Sequence, residues 1–301
     1  MKRSIFKVAF GVSVFFFGAM QAEAHEMDQH FATVQKHVEN RWRDFQANRE
    51  FKLFEPGKSD AVLKEEFADI LKTRASVWET HGYEFAQHLV DNDLIRAPGC
   101  GAFSYNNTAH YYNASTIYLG DLPYVACEGP RSKDVPKFFN LLRNSQVTHL
   151  VRLTDSHEGE TKKCHPYWDG LLSEAGYLNI PAEPGDHSVR AFDMAYWKDN
   201  QGIDPDQLLA VVLKVREELA NSGGLLAVHC SAGVGRTGTF FASLAIVDAI
   251  DRGGPFSIEE IVYRLSLQRV NSVGHPNQYV TLHRLAESYL KQSPKDLHVS
   301  R

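Results

Sequence analysis

Leu225-Leu226-Ala227-Val228-His229-Cys230-Ser231-Ala232-Gly233-Val234-Gly235-Arg236-Thr237-Gly238-Thr239-Phe240 is the stretch on which the reading of this chain turns. Leu225 to His229 reads as a short buried strand, and Thr237 to Asp251 reads as a helix. Five residues lie between Cys230 and Arg236, two of them glycine and one alanine. Small residues let the backbone curl until successive N–H groups converge, and the helix that follows adds its positive N-terminal end. Ser231, Ala232, Gly233, Val234 and Gly235 would thus form a cradle for a tetrahedral dianion such as a phosphate ester. Arg236 would grip two of its oxygens with a planar fork that lysine lacks. Cys230 sits at the base, where the same donors stabilise a thiolate and make it a nucleophile at neutral pH. A lone cysteine is commonly core, but that reading leaves the glycines, the arginine and the polar Ser231 and Thr237 unexplained.

Working outward, the grammar beyond Pro98 is one of alternating strands and helices. Val147 to Leu153 and Val189 to Tyr196 read as strands, and Pro205 to Leu219 as a helix. Asp204 is placed as its N-cap, with Pro205 in the first helical position and Gly223-Gly224 as its stop. From His25 to about Asn92 the periodicity is helical. Phe31, Val34, Val38, Trp42 and Phe45 form one stripe; Leu63, Phe67, Ile70, Leu71, Trp78, Phe85 and Leu89 form another, between Val62 and Val90. Pro56-Gly57 breaks the two stretches apart. The expectation is an α/β catalytic domain over residues 93–292, a helical N-terminal extension over 25–92 and a tail over 293–301.

Residues 1–24 read as a secretory signal peptide: a basic start at Lys2, Arg3 and Lys7, an uncharged run from Val8 to Met20, and Ala22-Glu23-Ala24 for cleavage. An uncleaved anchor is the alternative, disfavoured because the apolar run is short for a membrane span. Cleavage after Ala24 shifts the formal net charge from −5 to −7 by removing three cations and one anion. The expectation is an exported protein, periplasmic or secreted, without a stable membrane span. Among 301 residues 43% are apolar, which excludes disorder and fibrous repeats, and the acidic balance argues against nucleic acid as a partner. Four cysteines are too few for a disulfide framework, although Cys100 and Cys127 could pair in an oxidising compartment. The histidines lack metal-binding spacing, so no metal or cofactor is expected. Asn106-Asn107-Thr108 and Asn113-Ala114-Ser115 are glycosylation sequons.

The loop resembles that of the cysteine-dependent protein tyrosine phosphatases, with the signature H-C-x5-R-[ST], in the form found in the phosphotyrosine-specific branch. Five further segments resemble that family in order: Tyr112-Asn113-Ala114-Ser115, Tyr124 to Pro130, Leu150 to Thr154, Lys163-Cys164-His165-Pro166-Tyr167-Trp168, and Gln278-Tyr279. The resemblance implies a twisted mixed β-sheet flanked by helices and hydrolysis of phosphotyrosine in proteins through a cysteinyl phosphate, without a cofactor. It implies that Glu158 orients Arg236, that the Thr237 hydroxyl acts on the Cys230 sulfur, and that His229 helps keep Cys230 ionised. Arg269 matches an arginine that braces the active-site loops, with an exposed surface charge as the competing reading. Lys163 and Trp197 are supporting residues.

The chain departs from the family in three places. Trp197-Lys198-Asp199 carries lysine where the acid-bearing loop has proline, which frees φ. Asp199 is still the expected general acid, with Asp186 as competitor. Gly274 stands where a glutamine positions the hydrolytic water, leaving Gln278 for that task, and Asn271 replaces a glycine at the pocket mouth. The tyrosine that sets pocket depth has no counterpart near Asn92 to Arg96; Tyr105 and Tyr111 are the substitutes weighed. The alternatives to phosphotyrosine are inositol phosphates or phosphoinositides, for which the cradle offers no lysine, and a non-catalytic phosphotyrosine-binding module.

Overall fold

The computed structural model describes residues 36, 39, 40, 42–47, 49–81, 112–181 and 185–292, with side-chain environments left out for 76–81. The expected signal peptide, the tail over 293–301, Cys100, the Asn106 sequon, Tyr105 and Tyr111 lie outside the described residues.

A six-stranded sheet carries the domain. Its strands are β1 (Ala114–Leu119), β2 (Leu122–Glu128), β3 (Val147–Arg152), β6 (Tyr177–Ile180), β7 (His187–Asp193) and β8 (Leu225–Cys230). Their order is β1-β2-β8-β3-β7-β6. β2, β8, β3 and β7 run parallel, and β1 and β6 close the edges antiparallel. A small hairpin, β4 (His157–Glu158) with β5 (Thr161–Lys162), stands apart. β8 is buried at every position, as a central parallel strand with both faces covered must be.

Alternate residues of these strands feed two cores. Ala126, Val151 and Val228 face a large core that includes α3 (Pro205–Ser222), α4 (Gly235–Arg252), α5 (Ile258–Gln268) and α6 (Pro276–Gln292). Val125, Cys127, Leu150 and Ala227 face a smaller core built on α2 (Val135–Asn144) and Tyr167. Period-two side-chain alternation is the cause. The mixed sheet flanked by helices is the architecture expected from sequence.

The N-terminal segment joins the larger core. Helix α1 (Asp60–His81) buries Leu63, Phe67 and Ile70, whereas Val62 and Leu71 are 44% and 40% exposed. Leu71 therefore leaves the expected apolar stripe, because 63, 67, 70 and 74 form the face that meets the domain. Trp42 and Phe51 stack with ring centroids 5.4 Å apart, and Phe45 lies 5.0 Å from Tyr263 of α5. Phe54 N–H donates to Phe256 O at 2.7 Å. Among the described residues no helix is long and apolar enough to cross a membrane.

Three local expectations shift. β7 ends at Asp193 rather than Tyr196, because the Asp193 carboxylate accepts from Ala195 N–H and turns the chain. α4 begins at Gly235, two residues earlier than expected. Asp204 does cap α3, accepting from the N–H groups of Asp206 and Gln207. Cys127, Cys164 and Cys230 are all reduced thiols, so Cys127 is not paired with Cys100. Asn113 is 2% exposed and donates to Glu128, which removes it as a glycosylation site.

Candidate active site

The parallel strands β3, β7 and β8 all end on the same edge of the sheet, and ligands in such sheets bind beyond the carboxyl ends of the strands. That edge gathers Glu158 from after β3, Trp197 and Asp199 from after β7, and Cys230 from the end of β8. Asp186, which immediately precedes β7, lies at the opposite edge and is removed as a candidate acid.

After Cys230 the chain curls as the glycines suggested. Gly233 has φ 73°, and a Cβ there would stand 2.1 Å from the Cys127 carbonyl oxygen, so no other residue fits without displacement. Gly233 N–H donates to the Cys230 sulfur at 3.2 Å. On the outer side, Arg269 grips the carbonyls of Ala232 and Gly233 and also donates to Asn113 and Ser115. A peptide group is planar, with its N–H opposite its C=O. By holding these carbonyls outward, Arg269 turns the N–H groups of Gly233 and Val234 inward. Arg269 is fully buried and does not sit on the surface.

Arg236 is equally buried. Its Nη1 donates to Glu158 Oε1 at 2.8 Å and to Trp197 O at 2.6 Å. Its Nε and Nη2 form one edge of the guanidinium and make no hydrogen bond, although Nη2 lies 3.3 Å from Asp199 Oδ1. Two buried charged donors without acceptors constitute an anion-directed fork.

Asp199 Oδ2 accepts from Lys163 Nζ at 2.8 Å, and Asp199 N–H donates to Glu158 Oε2 at 3.0 Å. The Trp197 indole is buried and donates to Gln201 O. These bonds dock the 197–199 loop on the cradle with Lys198 exposed in place of proline. Burial pushes the Asp199 carboxyl up, but Lys163, Arg236 and the Asn200 N–H outweigh it and hold it below the usual carboxylate range.

Burial likewise pushes the Cys230 thiol up. The Arg236 charge and the hydroxyl and N–H of Thr237 more than offset this, against a smaller opposing push from Asp199, so the thiol sits below its ordinary value. Thr237 Oγ1 is buried and meets no acceptor at ordinary hydrogen-bond geometry, so the sulfur is the group on which it acts. His229 is joined to the backbone of the nucleophile. Its Nδ1 donates to Cys230 O at 3.0 Å, since a carbonyl only accepts, and its Nε2 meets the Tyr167 hydroxyl at 2.7 Å. Ser231 Oγ donates to Lys163 O at 2.9 Å, which fastens the cradle to the segment that follows β5.

Gln278 is buried beside Gly235, and its Oε1 accepts from Gly274 N–H at 2.9 Å. Asn271 has φ 61°, so it keeps the left-handed backbone that a glycine would adopt and that asparagine tolerates. Three contributors were not singled out from sequence. Tyr167 and Asn113 lay inside quoted motifs without roles. Arg74 of α1 is buried and donates to the carbonyls of Ser272 and Val273. Its signal was an arginine standing on the 63-67-70-74 face of an amphipathic helix.

Comparison with known proteins agrees with this arrangement. A family model described as protein-tyrosine phosphatase matches residues 91–182 and 171–288. Mouse receptor-type tyrosine-protein phosphatase C is 26% identical over 217 residues, covering 63% of this chain and 17% of that protein. Human tyrosine-protein phosphatase non-receptor type 7 is 30% identical over 210 residues, covering 62% of this chain and 58% of that protein. The chain thus spans less than a fifth of the length of its receptor-type relative. The crystal structure of the catalytic domain of human protein tyrosine phosphatase non-receptor type 18 superimposes with a TM-score of 0.64 at 26% identity, covering 76% of this chain and 96% of that one. With that family model matched over about two thirds of its length, this chain belongs to the protein-tyrosine phosphatase family.

Proposed function

We propose that this protein hydrolyses phosphotyrosine monoesters in proteins through a cysteinyl-phosphate intermediate. The observation that carries the reading is the pairing of a lowered Cys230 thiol with the unsatisfied Nε and Nη2 of Arg236. The substrate's phosphoryl group binds to that fork and to the inward N–H groups of the cradle. The Cys230 thiolate attacks phosphorus in line, the bond from phosphorus to the phenolic oxygen breaks, and that oxygen takes a proton from Asp199. A water molecule, oriented by Gln278, then attacks the same phosphorus. Asp199 accepts its proton, the S–P bond breaks, and the thiolate returns with Thr237 on the sulfur.

The depressed Asp199 carboxyl fits this cycle. The incoming dianion engages Arg236 and adds like charge beside Asp199, and both effects favour the protonated acid. Phosphotyrosine is preferred over inositol phosphates because the cradle side chains Ser231, Ala232 and Val234 carry no cation for additional phosphates. The experiment is a metal-free panel of p-nitrophenyl phosphate, phosphotyrosine and phosphoserine peptides and a phosphoinositide, with acid-quench trapping of phosphate on Cys230. Phosphotyrosine turnover with labelled Cys230 is expected; turnover without a labelled cysteine would remove the mechanism. Export belongs to the same proposal and rests on the basic, apolar and small-residue pattern of residues 1–24. Sequencing the N-terminus of protein recovered outside the cytoplasm would decide it, with a start at His25 expected.

A further inference from the structure

Two buried arginines grip backbone carbonyls beside the active site. Arg269 turns the cradle's N–H groups inward, as described. The second, Arg74, comes from α1, far away in sequence. Its Nη1 donates to Val273 O at 2.9 Å and its Nη2 to Ser272 O at 2.7 Å. The guanidinium lies 5.5 Å from the Phe67 ring centroid and only 7% of the residue is exposed.

The loop it holds needs holding. Asn271 and Val273 have φ of 61° and 60°, and for the β-branched Val273 that region is a genuine outlier. The same loop presses on the helix that follows the cradle: a Cβ at Gly238 would stand 2.5 Å from Val273 N and 2.7 Å from Ser272 Cα. Val273 C=O and Gly274 N–H are the two ends of one planar peptide group. Arg74 grips the oxygen, and the N–H donates to Gln278 Oε1 at 2.9 Å. Gln278 in turn lies against Gly235 of the cradle, 3.2 Å from where a Cβ there would stand.

We infer that Arg74 is a positioning residue for Gln278, acting through the Val273–Gly274 peptide group. The N-terminal helix thereby sets the second half of the reaction, the hydrolysis of the cysteinyl phosphate, while leaving the first half to the cradle. The inference rests on the phosphatase reading, in which Gln278 orients the attacking water.

Pre-steady-state kinetics on the full chain with p-nitrophenyl phosphate test it. Arg74→Met keeps an unbranched apolar side chain at this buried position and removes the fork. First-turnover release of nitrophenol is expected to stay within about twofold of the parent, whereas steady-state turnover slows by about tenfold or more, so a burst appears or grows. Arg74→Lys reaches one carbonyl and falls between, and it carries the test should Arg74→Met not fold. Equal losses in both phases, or no loss in either, overturn the inference. Amide spectra supply a readout independent of turnover: the Gly274 N–H and the Gln278 side-chain amide are expected to shift in both variants. Unmoved signals overturn the Arg74–Gln278 link. Shifted signals in the variants, together with a parent that hydrolyses nothing, support the link and count against the phosphatase reading.

Discussion

Cys127, one residue before the end of β2, and Cys230, the last residue of the adjacent β8, are both buried. Their chemistry is opposite. Burial pushes the Cys127 thiol up to about 12, while the Cys230 thiol falls below its ordinary value. The Arg269 charge lowers the Cys127 thiol but does not offset its burial, and its donors are directed at backbone carbonyls and neighbouring side chains rather than at the sulfur. Cys230 faces the uncommitted edge of Arg236 together with Thr237. Burial by itself makes a thiol inert; burial among unspent donors makes a nucleophile. Cys127 contributes instead through its carbonyl, the surface against which Gly233 turns.

That contrast can be broken directly. Cys230→Ser is expected to abolish turnover of p-nitrophenyl phosphate, by on the order of 10⁴–10⁶-fold, with ligand binding retained in calorimetry. Residual activity supported by Cys127 would show that the two thiols are not distinct.

Asp199→Asn sharpens the contrast by moving two readouts in opposite directions. Losing the acid lowers kcat by roughly 10²–10⁴-fold. The same change removes the carboxylate that opposes the Cys230 thiolate, so alkylation by iodoacetate should persist to lower pH. A variant that loses rate while its thiol becomes harder to ionise would exclude Asp199 from this position.

Gly233→Ala drives a Cβ into the Cys127 carbonyl and forces a positive φ on alanine. The expected loss of stability in urea unfolding is about 1–3 kcal/mol, with a rise in the Cys230 pKa as Gly233 N–H leaves the sulfur. Unchanged values for both would mean that the cradle does not lean on β2.

Lys163→Met should have the smallest effect. Lys163 favours ionised Asp199, so its removal raises the carboxyl pKa and keeps the acid form to higher pH. The descending limb of kcat/KM against pH should therefore move upward, as pH–rate profiles measure. A limb that stays in place would detach Asp199 from proton donation.

The cradle was legible in sequence because everything it needs is contiguous. Cys230, the glycines and Arg236 sit in one loop between a strand and a helix, and their spacing implies the curl. Asp199 was legible through the resemblance of Trp197-Lys198-Asp199 to the family's acid-bearing loop, and its distance of 31 residues from Cys230 suits that arrangement. Its competitor Asp186 could be discarded only once β7 was seen to run parallel to β8's neighbour β3, which puts the two aspartates at opposite edges. Arg269 was balanced between a surface charge and a brace, because burial of a long cationic side chain depends on partners distant in the chain. Arg74 carried a faint signal, an arginine on an apolar helical face, but its carbonyl acceptors lie 198 and 199 residues away.

By itself, then, the sequence determined the strand–loop–helix, its anion-directed thiol, the helix caps and the alternation that makes a two-sided sheet, all consequences of short-range backbone and side-chain preferences. Tertiary structure alone decided which charges are spent. Arg269 spends its donors on carbonyls and neighbouring side chains and Arg74 spends its two terminal nitrogens on carbonyls, whereas Arg236 keeps Nε and Nη2 for an anion and Asp199 is held ionised by Lys163. Those outcomes depend on which groups lie within a few ångströms after folding, where burial removes the water that would otherwise satisfy every charge equally.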